Sequence, residues 1–85
     1  MKKVKIYTTS TCPYCIKAKK LLDYKNIPYE EININDNYDT AMSALSKTTG
    51  YETVPQIFIN EEFIGGCDDL YTLEQHKKLD KLVES

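Results

Sequence analysis

Two cysteines three positions apart, Cys12 and Cys15, are the residues of this chain best suited to chemistry. They frame the tetrapeptide Cys12-Pro13-Tyr14-Cys15, between a stretch rich in β-formers and a stretch with helical periodicity. If Cys12 is the N-cap of that helix or its neighbour, its sulfur faces unpaired backbone N–H groups and the positive end of the helix dipole. Both favour thiolate, the attacking form, whereas an unperturbed cysteine is only about 3% thiolate at pH 7. One helical turn on, Cys15 can return within disulfide reach of Cys12. Cys15 is expected to be the more buried and to keep the higher pKa. The labour then divides: Cys12 attacks a substrate disulfide, and Cys15 resolves the mixed disulfide by attacking Cys12. Pro13 stiffens the first turn, and Tyr14 can shield the sulfur and offer a ring face to a ligand.

Other uses of the pair fit less well. Half a zinc site would need a second cysteine pair or histidines, but only Cys67 and His76 remain, wrongly spaced, so no metal is expected. A purely structural pair would sit on separated elements. Cys67 follows two glycines and is read as a small apolar residue at a helix start, with a redox-regulatory thiol as the alternative. His76 lies among Glu74, Gln75, Lys77 and Lys78 and is read as a surface residue. Of the seven tyrosines, Tyr14 is assigned to function and Tyr51 is a second candidate, as a wall of a substrate groove.

The charge balance narrows the ligands. All the cationic side chains are lysines, 11 against 13 acids, for a net charge of −2. A mildly acidic chain without arginine lacks the footprint of a nucleic-acid binder. It also has no guanidinium fork, so an anionic ligand must rest on lysine, backbone N–H groups or a helix N-terminus. With 85 residues, 41% of them hydrophobic, a single domain over 1–85 is expected. No apolar run approaches the roughly 20 residues of a membrane span. Met1 to Tyr7 has no apolar h-region, so the expected location is cytoplasmic.

The elements that must position the cysteines follow from periodicity. Val4–Thr8 reads as a strand, and Thr9-Ser10-Thr11 as a turn. Cys15, Ala18, Leu21 and Leu22 form the apolar stripe of a helix running to Tyr24, with Pro13 where a first-turn proline is tolerated. Asn26-Ile27-Pro28 closes it, and Tyr29–Ile34 reads as a second strand. A second helix carries Tyr38, Ala41, Met42 and Leu45 and ends near Gly50. Gln56–Ile59 and Glu62–Ile64 are strands joined by a tight turn at Asn60-Glu61. A third helix starts at Asp68 or Asp69, carries Leu70 and Leu73, and its stripe continues through Leu79, Leu82 and Val83. The order β-α-β-α-β-β-α predicts an α/β fold, a four-stranded mixed sheet with helices on both faces. The expected core is Val4, Ile6, Leu22, Ile32, Leu45, Ile57, Ile59 and Leu70, with the lysines at 2, 3 and 5 solvating a strand edge.

Three motifs, CPYC at 12–15, Thr53-Val54-Pro55 before the third strand and Gly65-Gly66-Cys67-Asp68-Asp69 after the fourth, make the chain resemble the small dithiol class of glutaredoxins over nearly its whole length. The resemblance implies a thioredoxin fold and glutathione-dependent reduction of protein disulfides and glutathione mixed disulfides. It implies a cis bond before Pro55, at the active-site sulfur. Val54 would pair its backbone with the cysteinyl part of glutathione. The γ-glutamyl carboxylate would rest on the third helix at Asp68 and Asp69, with the Asp69 side chain on the ammonium. Tyr14, Thr53 and Pro55 complete the implied glutathione site. Glutathione enters as co-substrate, with no tightly bound cofactor. Oxidised or glutathionylated proteins are the implied partners of a monomer that binds neither nucleic acid nor membrane.

Two positions depart from the pattern. Many relatives have a lysine where this chain has Thr9, and a positive residue where it has Glu52. The expectation is a weaker hold on the glycyl carboxylate, or compensation by Lys47 or Lys17. Alternative functions are a protein-disulfide donor recharged by a flavoprotein reductase and, with less support given the stiffening by Pro13, a carrier of an iron–sulfur cluster.

Overall fold

A computed structural model describes residues 1–84. The elements are β1 (Val4–Thr8), α1 (Pro13–Tyr24), β2 (Glu30–Asn33), a 3₁₀ turn at 35–37, α2 (Tyr38–Thr49), β3 (Gln56–Ile59), β4 (Glu62–Gly65), α3 (Cys67–Gln75) and α4 (Leu79–Val83). The sheet order is β2-β1-β3-β4. β1 runs parallel to β2 and antiparallel to β3, which is antiparallel to β4. This is the expected four-stranded mixed sheet.

Alternation along the central strands sorts the two faces. Val4 and Ile6 of β1 and Ile57 and Ile59 of β3 are buried with Ala18, Leu21 and Leu22 of α1, Leu70 of α3, and Leu79 and Val83 of α4. Burying each such large aliphatic side chain contributes about 1.5–3 kcal/mol. The alternate face carries Tyr7, Phe58 and Phe63, whose rings pack at 5.6 and 5.3 Å. α2 reaches this face through Thr49, whose hydroxyl donates to Gln56 Oε1 at 3.0 Å.

Several expectations are corrected. β1 lies in the middle of the sheet, so Lys2, Lys3 and Lys5 solvate no strand edge; Lys3 instead pairs with Glu30 at 3.6 Å. Ile32 and Leu45 are only half-buried. Ile32 sits on edge strand β2 opposite Tyr7, on the face that α2 covers thinly, with Met42 its one buried residue. Ile27, Leu79 and Val83 fill the main core in their place. α3 begins at Cys67, ahead of both aspartates.

The C-terminal stripe is not one helix. Lys77 takes a left-handed φ of 58°. Its N–H bonds Glu74 O while that of Lys78 bonds Leu73 O, the pattern of a Schellman stop. The same stop ends α1 at Asn26, φ 57°, where Ile27 N–H bonds Leu22 O. Lys25, at that end, donates to Glu74 at 2.8 Å and Asp80 at 3.1 Å and so ties α1 to α3 and α4. Among the described residues no helix is long and apolar enough to cross a membrane.

Candidate functional site

The strand β1 delivers the chain to Cys12, which caps α1 with an extended backbone, φ −95° and ψ 110°. Pro13 occupies the first helical turn, where its missing N–H leaves no bond unmade. The cap is made by sulfur: the Cys15 N–H donates to Cys12 Sγ at 3.2 Å. From the other side, the Cys12 thiol donates to the backbone oxygen of Val54 at 3.6 Å. Ionisation of the sulfur ends the second bond and strengthens the first, which then becomes charge-assisted.

Cys15 is buried, 1% exposed, on the core side of α1. Burial first, then the adjoining Cys12 sulfur, pushes its thiol up to about 12. No disulfide joins the two cysteines. One is partly exposed and capped by an amide; the other is buried and hard to ionise, so the two thiols differ in access and in readiness to form thiolate.

The Val54–Pro55 peptide bond is cis. The loop before it is held by Gln56, a fully buried polar side chain. Its Nε2 donates to the backbone oxygens of Tyr51 at 3.0 Å and Thr53 at 3.1 Å. Sequence reasoning read Gln56 only as a strand residue; the available signal was an amide at the start of an otherwise apolar strand.

Facing that loop is the start of α3. Asp69 accepts the Gly66 N–H at 2.9 Å, so a side chain from inside the helix caps its first amide. Gly65 has φ 123°, and a Cβ there would strike the Asp69 carboxylate. Gly66 lies close to the Pro55 oxygen, 3.3 Å from where its Cβ would stand. Gly66 thus lets the α3 start approach the Val54–Pro55 loop, and Gly65 leaves the room into which the Asp69 side chain folds back. The backbone N–H groups of Cys67, Asp68 and Asp69 lie in the first turn, where no intrahelical partner exists.

Between loop and helix lies a cavity of about 350 Å³. Tyr14, Thr53, Val54, Pro55, Asp68 and Asp69 all line it, so the structure gathers every expected ligand residue in one groove, joined by Tyr51, Gly66 and Cys67. Cys12 is not among the lining residues but adjoins the groove through its bond to the backbone oxygen of Val54, which does line it. Tyr51 proves more than a wall: its hydroxyl donates to Asp69 Oδ2 at 2.9 Å. Cys67 touches the groove but belongs to the core cluster, 5% exposed, and burial pushes its thiol up. His76 is exposed at the far end of α3.

Among the described residues no lysine lines the groove; its charged lining residues are Asp68 and Asp69. Neither proposed compensator is there, since Lys17 lies over the Tyr71 ring, 4.9 Å from its centroid, and Lys47 stands on exposed α2. A ligand carboxylate in this groove must therefore find backbone N–H groups. Among the described residues no cluster of three or more His, Cys, Asp or Glu side chains could hold a metal ion.

The chain is similar to known proteins both in sequence and in fold. The glutaredoxin family model matches residues 4–64. Glutaredoxin 1 of Rickettsia typhi is 54% identical over 81 residues, covering 94% of this chain and 78% of that protein. Glutaredoxin 3 of Escherichia coli K12 is 46% identical over 84 residues, covering 99% and 100%. Among solved structures, a buckwheat glutaredoxin–glutathione complex superposes with a TM-score of 0.92 at 31% identity, covering 96% of this chain and 76% of that one.

Proposed function

Because this chain belongs to the glutaredoxin family and is a thiol–disulfide oxidoreductase with a thioredoxin-type fold, we propose that it takes its reducing equivalents from glutathione and acts on protein disulfides and glutathione mixed disulfides. The observation that carries this reading is the groove itself: Val54, Asp69 and the first turn of α3 line it, and the Cys12 sulfur adjoins it through the Val54 backbone oxygen.

In the proposed cycle the Cys12 thiolate attacks the sulfur of a glutathione mixed disulfide. A Cys12–glutathione disulfide forms as the protein thiolate leaves and takes up a proton. A second glutathione thiolate releases the reduced enzyme and glutathione disulfide. With a protein disulfide, Cys15 instead attacks Cys12, and the internal disulfide so formed is reduced by two glutathiones. Bound glutathione would add its cysteinyl backbone to Val54 as a strand adds to an edge. Its γ-glutamyl carboxylate would accept N–H bonds at the start of α3, and its ammonium would meet Asp69. Tyr14, Thr53 and Pro55 would form the walls, with Asp68 beside the carboxylate site.

The groove's lack of lysine favours a second reading, a protein-disulfide donor recharged by a flavoprotein reductase. The two are separated by reducing the oxidised enzyme either with glutathione plus glutathione reductase or with a thioredoxin-type flavoprotein. Faster recharging by glutathione supports the first; reduction by the flavoprotein alone supports the second.

A further inference from the structure

We infer that Tyr51 is a positioning residue that sets specificity for a γ-glutamyl ammonium by holding the Asp69 carboxylate in its receiving orientation. The inference rests on the glutathione reading above and adds to it a residue outside the three motifs.

Asp69 Oδ2 is held by two donors, the Gly66 N–H and the Tyr51 hydroxyl, each at 2.9 Å. Among the described residues these are the only hydrogen bonds that the carboxylate accepts, so Oδ1 remains for a ligand. Two donors on one oxygen fix the plane of the carboxylate before any ligand arrives. With the N–H alone, rotation about the side-chain torsion would be limited on one side only. The phenol is itself held in place. Its ring packs edge-on against Phe63, centroids 4.9 Å apart, and its backbone oxygen is clamped by buried Gln56. The loop bearing Val54 and the helix bearing Asp69 are therefore joined by one side-chain bond across the groove that both line.

A cation is the natural ligand for that remaining oxygen, because the groove's charged lining is acidic and the oxygen already engaged is the one facing the donors. Tyr51 thereby couples Asp69 to the ligand's amino group, not to the reacting sulfur. Its removal should weaken substrate binding and leave the exchange step alone.

The test compares parent and Tyr51→Phe on two peptide mixed disulfides, one with glutathione and one with N-glutaryl-cysteinylglycine, which lacks only the α-ammonium. The variant keeps the ring on Phe63 and loses one hydroxyl, and an unchanged thermal midpoint verifies its fold. The expected result is a KM for the glutathione substrate raised about three- to tenfold, kcat within twofold, and little change for the glutaryl substrate. If the parent prefers the ammonium-bearing substrate and Tyr51→Phe keeps that preference in full, the role of Tyr51 is overturned while the glutathione reading stands. If the parent itself shows no preference, the assignment of Asp69 fails and the role of Tyr51 falls with it.

Discussion

The sulfur of Cys12 lies 3.6 Å from the backbone oxygen of Val54, a residue 42 positions further along the chain. The proposed nucleophile is thus joined to the segment against which, on the same proposal, a peptide-like substrate would lie. A disulfide aligned on Val54 is brought to the sulfur by the same backbone, which is how positioning replaces a second-order encounter.

The resolving step should be strongly pH-dependent. Burial holds the Cys15 thiol at about 12, so at neutral pH it is almost wholly protonated. The rate at which Cys15 displaces glutathione from the Cys12 mixed disulfide should rise with pH between 7 and 9, roughly tenfold per unit while the thiolate is the minor form. Stopped-flow release of glutathione measures it, and a flat profile contradicts the burial argument. The same shift has a stability consequence. The unfolded thiol loses its proton near its ordinary value while the folded one keeps it, so above about pH 9 the folded state binds more protons and stability falls as pH rises. Cys15→Ala should show a shallower alkaline loss.

Thr9→Lys should lower KM for a glutathionylated substrate by a few-fold, since no lysine lines the groove and a partly exposed ion pair contributes about 0–1 kcal/mol. Steady-state kinetics at low salt decide it. An unchanged KM means that the glycyl carboxylate is not short of a cation here.

Gly65→Ala should destabilise the fold by about 1–3 kcal/mol and displace Asp69. The backbone there has φ 123°, and the added Cβ meets the Asp69 carboxylate. Urea denaturation reads the first effect and a raised KM the second; an alanine variant with parental values for both would contradict the close approach.

Cys67→Ala should retain both disulfide reduction and deglutathionylation. The side chain is 5% exposed and packs in the core, so the loss of its sulfur acts mainly on stability, by about 1 kcal/mol. A tenfold loss of activity would instead assign the thiol a redox role.

What could be read in advance was what depends on local pattern. The helix after Cys12 declared itself through Ala18, Leu21 and Leu22. The β3–β4 hairpin did so through the two-residue Asn60-Glu61 turn, which takes φ of 53° and 68°. The central place of β1 was missed because strand order depends on contacts between segments far apart in the chain. α4 was merged with α3 because the left-handed stop falls on Lys77, where no glycine marks it. At the site, the motif residues legible in the sequence share one groove, but their supports were not legible. Gln56 holds backbone oxygens, and Tyr51 meets Asp69 across 18 positions, contacts that exist only after the loop and α3 are packed together.

The most direct test is turnover of a glutathionylated peptide, with glutathione and glutathione reductase, by the parent, Cys12→Ser and Cys15→Ser. The account predicts no activity for Cys12→Ser. It predicts substantial activity for Cys15→Ser, which loses only the reduction of protein disulfides. A Cys15→Ser enzyme dead toward the glutathionylated peptide, or a Cys12→Ser enzyme still active on it, would contradict the assignment of Cys12 as the nucleophile and Cys15 as its resolving partner.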